Sequence, residues 1–255
     1  MQVVRSRGEL REARAALQGS VGFVPTMGAL HEGHASLLRR ARDSTDHVAA
    51  SIFVNPTQFA PNEDLSRYPR DEAGDLRMLE ELGVDLAFVP GVEDIYPAGA
   101  SMTVDVGRLG EVLEGAARPG HFRGVATVVA ILFGLVQPTR AFFGQKDGQQ
   151  SVVVRRLVRD LGLPVEVEIC PTIREPDGLA MSSRNRYLTE DERAQAPALF
   201  RALQAAEAAL ADGVVSADSL RSVMQVELAS APLGTTDYVS LADSDTLQEL
   251  ETVDR

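Results

Sequence analysis

The chain has 255 residues, 44% of them apolar and 24% charged, enough for one large folded domain or two smaller ones, and it excludes a disordered chain. Asp and Glu outnumber Lys and Arg by 37 to 25, giving a net charge of -12 that argues against nucleic acid as a partner. The longest apolar stretch, 125–136, is shorter than the ~20 residues that span a bilayer, so no membrane role is expected. The charged start Arg5, Arg7, Glu9, Arg11 is unlike a signal peptide, and a single cysteine, Cys170, fits a reducing cytoplasm.

In chain order, short Val-, Ile- and Phe-rich runs alternate with segments of helical period. The pattern predicts strands over 21–25, 47–55, 86–89, 140–143 and 165–169, with helices over 34–43, 71–82, 123–136 and 149–161. After Pro171 come a turn at Glu175, Pro176, Asp177 and Gly178, a polar stretch over 182–186, and alanine-rich helical sequence. Thr189 with Glu192 forms a capping-box pattern that opens a helix expected to run to Leu210, and a second helix is expected over 216–228. The expected fold is α/β: a Rossmann-like parallel-sheet domain over 1–172 and a smaller C-terminal α+β lid domain over 173–255.

The first candidate site is Pro25-Thr26-Met27-Gly28-Ala29-Leu30-His31-Glu32-Gly33-His34, where the strand over 21–25 hands over to a helix. In an open parallel sheet, such a junction faces ligands with helix N-terminal amides. Gly28 and Gly33 have P-loop spacing, but His34 and Ala35 stand where that motif needs Lys and Ser or Thr. A zinc metalloprotease reading needs HExxH, whereas the sequence has HEGH with no third ligand nearby. Standing alone, HxGH fits two solvated histidines capping a helix equally well.

A second candidate is Phe143-Gly144-Gln145-Lys146-Asp147, again between a strand and a helix. The basic residues comprise 24 arginines and one lysine, Lys146. A compact ammonium suits phosphate oxygens where a planar guanidinium does not, although a lone lysine can also survive by chance. Met181-Ser182-Ser183-Arg184 could wrap phosphates or serve as a polar linker. Asn55-Pro56-Thr57-Gln58-Phe59 and the stretch from Arg118 to Gly124 complete the candidates, the latter also readable as a glycine-punctuated helix start.

Taken together, VPTMGALHEGH, SIFVNPTQF, LEGAARPGHFRGV, FFGQKDGQQ and REPDGLAMSSRNRYL, which run in order from Val24 to Leu188, resemble the pantothenate synthetase (pantoate-β-alanine ligase) family. That family belongs to the superfamily of HxGH nucleotidylyltransferases and class I aminoacyl-tRNA synthetases. The resemblance implies condensation of pantoate with β-alanine, using ATP and Mg2+, through a pantoyl adenylate. The physical chemistry of the residues alone reaches only an ATP-using α/β enzyme.

By resemblance, ATP is bound by Met27, Gly28, Ala29, Leu30, His31, Glu32, Gly33 and His34, by Gly144, Gln145, Lys146 and Asp147, by the backbone at Ile173, and by Met181, Ser182, Ser183 and Arg184. His31, His34 and Lys146 are the implied catalytic residues, with His34 as proton donor. Lys146 is placed on the phosphates and Asp147 on the ribose. Gln58 and Gln150 are expected on pantoate, Gln58 also beside β-alanine, and Tyr68 is expected to close that pocket. Glu114 and Arg118 form a further pair with no role assigned. Protein ligands for magnesium are left unassigned, because the acidic cluster associated with the metal in some relatives is only partly matched, with Gly74 preceding Asp75. Gln145 stands where relatives commonly have Glu, Gly148 where they have an aromatic, and the second domain is expected to be short or incompletely represented. A homodimer is expected from the family alone. The alternatives are a related HxGH nucleotidylyltransferase and a catalytically silent adenine-nucleotide-binding module.

Overall fold

The computed structural model describes residues 1–253. The chain forms two compact units, Met1–Thr172 and Ile173–Arg255. In the first, the element order is β1 (Gln2–Val4), α1 (Arg7–Ala16), β2 (Val21–Thr26), α2 (Glu32–Ser44), β3 (His47–Ile52), α3 (Glu72–Glu81), β4 (Leu86–Phe88), α4 (Val92–Ile95), α5 (Glu114–Ala117), α6 (His121–Val136), β5 (Arg140–Gly144), α7 (Gly148–Leu161) and β6 (Glu166–Cys170). The strands make one six-stranded sheet in the order β1-β4-β3-β2-β5-β6, parallel at every pairing.

Alternating side chains split the sheet's contacts into two cores, as a strand period of two requires. Phe23, Phe88, Ala141 and Phe143 pack on one face with Val129, Leu132 and Phe133 of α6 and Val154 of α7. Val24, Ala50, Ala87 and Phe142 pack on the other with Leu38 and Ala41 of α2 and Leu79 of α3. Burial on both faces explains why these strands read as continuous apolar runs.

The crossovers set the place of the site. From β2 the chain steps outward to β3 and β4, then returns past β2 to place β5 on its other flank. The order therefore reverses between β2 and β5, which are in register at Gly22↔Arg140 and Phe23↔Ala141. A crevice opens at the carboxyl ends of strands at such a reversal. Thr26 and Gly144 close their strands there.

Three sequence expectations are revised. β1 and α1 lie outside the expected elements; α1 is opened by a capping box between Ser6 and Glu9. The strand expected over 47–55 stops at Ile52, because the Asn55 side chain accepts from the Thr57 N–H and starts a 3-10 turn, Pro56–Gln58. In the second unit, the helix expected from Thr189 to Leu210 is two helices, α8 (Glu190–Gln195) and α9 (Ala198–Ala211), divided at Pro197. Proline lacks an N–H and crowds the preceding turn, so it starts a helix readily and interrupts one. Next comes α10 (Ala217–Leu228), capped by Ser216 and packed on α9 through Ala202, Ala206 and Met224. Among the described residues, the β content of this unit is limited to isolated bridges. No helix among them is long and apolar enough to cross a membrane.

Candidate active site

The loop after β2 is built around a buried carboxylate. Asp75 of α3, only 3% exposed, accepts from the Ala29 N–H at 2.9 Å and the Leu30 N–H at 2.7 Å. Two charge-assisted hydrogen bonds compensate the desolvated charge and fix the course of the loop. At Gly28 (φ +82°) a Cβ would lie 2.9 Å from Asp75 Oδ2 and 3.1 Å from Ile52 Cγ2, so only glycine fits. Ala29 follows at φ +49°. Thr26 Oγ1 accepts from the Gly28 N–H and donates to the Ser51 carbonyl, which ties the loop to β3. In the sequence Asp75 is visible only as part of an incomplete acidic cluster; its role in shaping the loop is not.

The two histidines then cap α2 reciprocally. His31 Nδ1 accepts from the Gly33 N–H at 3.1 Å, and His34 Nδ1 accepts from the His31 N–H at 3.3 Å, with ring centroids 4.1 Å apart. An Nδ1 that accepts a backbone N–H carries no proton, so each neutral ring holds its hydrogen on Nε2. Burial, reinforced by the neighbouring His31, pushes His34 down to about 3; Asp147 opposes the shift and Lys146 adds to it. His34 is therefore a neutral Nε2–H donor at neutral pH. It stands at the positive end of a helix dipole, which suits phosphate oxygens. The helix-cap reading is right about the bonds, and those bonds are what orient the rings. Among the described residues no group of three or more His, Cys, Asp or Glu could hold a metal.

Across the strand reversal, the Gln145 N–H donates to the Cys170 carbonyl at 2.8 Å and anchors the turn after β5. Lys146 Nζ lies 3.0 Å from Asp147 Oδ1, both side chains being solvent-accessible. An exposed pair of this kind is weak and exchanges its partner readily for a stronger anion. At Gly148 a Cβ would meet nothing within 4 Å, so the space beside Lys146 is open.

On the β3 side, Gln58 is buried, its Oε1 accepting from Asn55 Nδ2 at 3.0 Å and its Nε2 facing Met27 Sδ at 3.3 Å. Asn55 Nδ2 also donates to the Gly124 carbonyl. Tyr68 is buried edge-to-face against Phe59, centroids 5.9 Å apart. Of two adjacent glutamines at the start of α7, Gln149 is committed to structure: Nε2 donates to the Leu109 and Val112 carbonyls, and Oε1 accepts from the Glu114 N–H. Gln150 is half-buried with its amide uncommitted among the described residues. The Glu114–Arg118 pair exists at 3.4 Å, but the principal partner of Arg118 is Glu63 at 2.7 Å, which no motif or spacing signals.

Ile173 and Met181 to Arg184 belong to the second unit. There the Met181 N–H donates to the Ile173 carbonyl at 3.0 Å. Ser182 Oγ accepts from the Arg184 N–H at 3.2 Å and caps a 3-10 turn, Ser183–Tyr187. Gly178, at φ +96°, lets the preceding hairpin-like turn close against Phe200.

With this geometry in view, the chain matches the family model for pantoate-beta-alanine ligase over residues 2–255. It is 59% identical over 253 residues to the pantothenate synthetase of Roseiflexus sp. (strain RS-1), covering 99% of this chain and 91% of the relative. The crystal structure of pantothenate synthetase from Thermus thermophilus superposes with a TM-score of 0.95 at 52% identity, covering 99% of this chain and 91% of that one. A pantoate-beta-alanine ligase from Francisella tularensis, complexed with beta-gamma ATP and beta-alanine, superposes with a TM-score of 0.78 at 37% identity, covering 89% and 86%.

Proposed function

The chain belongs to the pantoate-β-alanine ligase family, and from that premise we propose how its own residues divide the work of the ATP-dependent ligation of pantoate with β-alanine. A carboxylate is a poor acyl donor. In the first step a pantoate carboxylate oxygen attacks the α-phosphorus of ATP, a P–O bond to pyrophosphate breaks, and pantoyl adenylate forms. In the second, the β-alanine amine attacks the acyl carbon, the C–O bond to AMP breaks, and the amine gives up a proton. No covalent bond to the enzyme is needed; positioning and charge stabilisation supply the catalysis.

The observation that carries this reading is the pairing, at the β2/β5 reversal, of an α2 N-terminus bearing two neutral Nε2–H donors with the loop of Lys146. Met27 to His34 and Gly144 to Asp147 receive the nucleotide. Lys146 leaves Asp147 for the phosphates, and Asp147 turns to the ribose hydroxyls. Burial holds His34 neutral before the nucleotide arrives, so it meets the phosphate oxygens as an Nε2–H donor, the group from which the resemblance's proton-donor role would also act. Gln58 and Gln150, each able to donate and accept, hold pantoate, with Tyr68 walling the pocket. The resemblance further assigns Ile173, Met181, Ser182, Ser183 and Arg184 to the nucleotide.

Magnesium fits as a companion of the nucleotide. Asp75 of α3, the buried carboxylate beneath the loop, is committed to backbone amides, and no metal-binding cluster exists among the described residues. A cation that keeps its waters and takes phosphate oxygens needs no protein cage. A cytoplasmic setting rests on the single cysteine, Cys170, and a homodimer is carried over from the family resemblance.

The experiment is exchange of labelled pyrophosphate into ATP. With pantoate and without β-alanine, exchange is expected; adding the amine should then release AMP and form the amide. Exchange without amide would favour the nucleotidylyltransferase alternative, and nucleotide binding without either reaction the silent module.

A further inference from the structure

Arg118 has five N–H donors, and the structure gives all five an acceptor. Nε donates to Glu63 Oε1 at 2.9 Å and Nη2 to Glu63 Oε2 at 2.7 Å, a bidentate fork. Nη2 also donates to the Gln58 carbonyl at 3.4 Å, while Nη1 donates to Glu114 Oε1 at 3.4 Å and to His121 Nε2 at 3.3 Å. Since His121 Nε2 accepts, its hydrogen sits on Nδ1, which donates to the same Gln58 carbonyl at 2.8 Å. One main-chain oxygen thus receives two side-chain donors from the segment that opens α6. A guanidinium committed in this way has nothing left to offer a substrate carboxylate.

The backbone approach is equally specific. A Cβ on Gly124 of α6 would stand 2.5 Å from the Thr57 carbonyl oxygen and 2.8 Å from Gln58 Cα. Asn55 Nδ2 bridges the Gly124 carbonyl to the Gln58 side chain. The turn bearing Gln58 is therefore seated on α6 and held from two sides. Arg118 is 23% exposed and Glu63 20%, so this pair is largely shielded from water.

We propose that Glu63, Arg118 and His121 form a clamp on the Gln58 carbonyl that positions the Gln58 amide for pantoate, making them positioning residues that touch no substrate. The proposal rests on Gln58 binding pantoate. Arg118 acts through Gln58 alone, so its loss should shift the pantoate concentration dependence and spare both ATP binding and the saturated rate of adenylation.

The test is a double-mutant cycle on the full-length enzyme, read by pyrophosphate exchange at varied pantoate and varied ATP. Arg118→Lys keeps a charge near Glu63 but loses the fork and the second donor to Gln58, and should raise the KM for pantoate about tenfold. The KM for ATP and the exchange rate at saturation should stay within about twofold. His121→Asn keeps a donor near the position of Nδ1 and should restore most of what His121→Leu loses. In a Gln58→Ala background, Arg118→Lys should add no further change, because the amide it positions is gone. If Gln58→Ala leaves the pantoate KM unchanged, the pantoate assignment fails. If Gln58→Ala raises that KM but Arg118→Lys does not, or if their effects multiply, the assignment stands and the clamp is overturned. If Arg118→Lys does not fold, His121→Leu against His121→Asn decides: equal pantoate KM values overturn the clamp.

Discussion

The two sides of the site solve opposite problems. On the side of the two sheet-edge loops, the charged groups Lys146 and Asp147 are accessible and, among the described residues, paired only with each other, beside a β2–α2 loop fixed by Asp75 and by two capping histidines. On the Gln58 side, the polar groups are buried (Asn55, Gln58) or part-buried (Glu63, Arg118, His121) and already joined in a network from Glu63 to Asn55. Under the substrate assignment proposed above, the contrast follows from the substrates. Phosphates bring charge that changes during reaction, so the groups that meet it must be able to change partners. Pantoate's hydroxyls need a fixed pattern of donors and acceptors, and a network satisfied before binding pays the ordering cost in folding.

If that contrast holds, the largest losses fall on the nucleotide side. Lys146→Met keeps most of the stem and removes the charge, and should cut single-turnover adenylate formation by about 10² to 10³ while weakening ATP binding less. Lys146→Arg should also be impaired, because a wider fork cannot sit where the ammonium sat; a parent-like rate in the Arg variant would make the lone lysine an accident of composition. His34→Ala should follow, at about 10²-fold slower adenylation with circular dichroism nearly unchanged. Parent-like single-turnover adenylation would remove His34 from the reaction.

A smaller effect, on binding alone, is expected from Gln150→Leu. Losing one partner of a buried polar group costs about 1 to 3 kcal/mol, roughly five- to 150-fold in pantoate affinity, with ATP affinity retained. Calorimetric titration with pantoate checks this, and an unchanged dissociation constant would place Gln150 outside the pocket.

The smallest effect concerns pH and stability. His34 protonates near 3 when folded and near 6.5 when unfolded. Between those values the unfolded chain binds the extra proton, so stability falls as pH falls through that window. His34→Ala removes this share of the acid sensitivity. Thermal melts at pH 7.5 and pH 5 should show the parent losing more than the variant, by on the order of a few degrees. Equal losses would mean the ring is not held neutral by burial.

The location of the candidate segments at the β2/β5 reversal was legible because the signals were local: strand–loop–helix junctions carrying HxGH and the lone lysine, and apolar runs that marked every central strand of the sheet. What was not legible depends on contacts far apart in the chain. Asp75 reaches the Ala29 amide across 46 residues, and Glu63 reaches Arg118 across 55, with no spacing rule to announce either. The orientation of the histidines was hidden for a different reason: two rings at three-residue spacing suggest a metal or a helix cap, and only the placement of Nδ1 against backbone N–H groups puts the ring hydrogens on Nε2. α1, by contrast, carries a readable local signal, since Ser6 and Glu9 have capping-box spacing. The break at Pro197 was equally readable.

The most direct test of the division of labour compares single-turnover pantoyl adenylate formation in Lys146→Met and Gln58→Ala over a full range of pantoate concentration at saturating ATP. A nucleotide side that acts on the transition state and a pantoate side that acts on binding predict crossed results. Lys146→Met should lower the plateau about 10² to 10³-fold with half-saturation near the parent value, and Gln58→Ala should move half-saturation upward with the plateau largely kept. Two curves displaced in the same parameter would contradict the account.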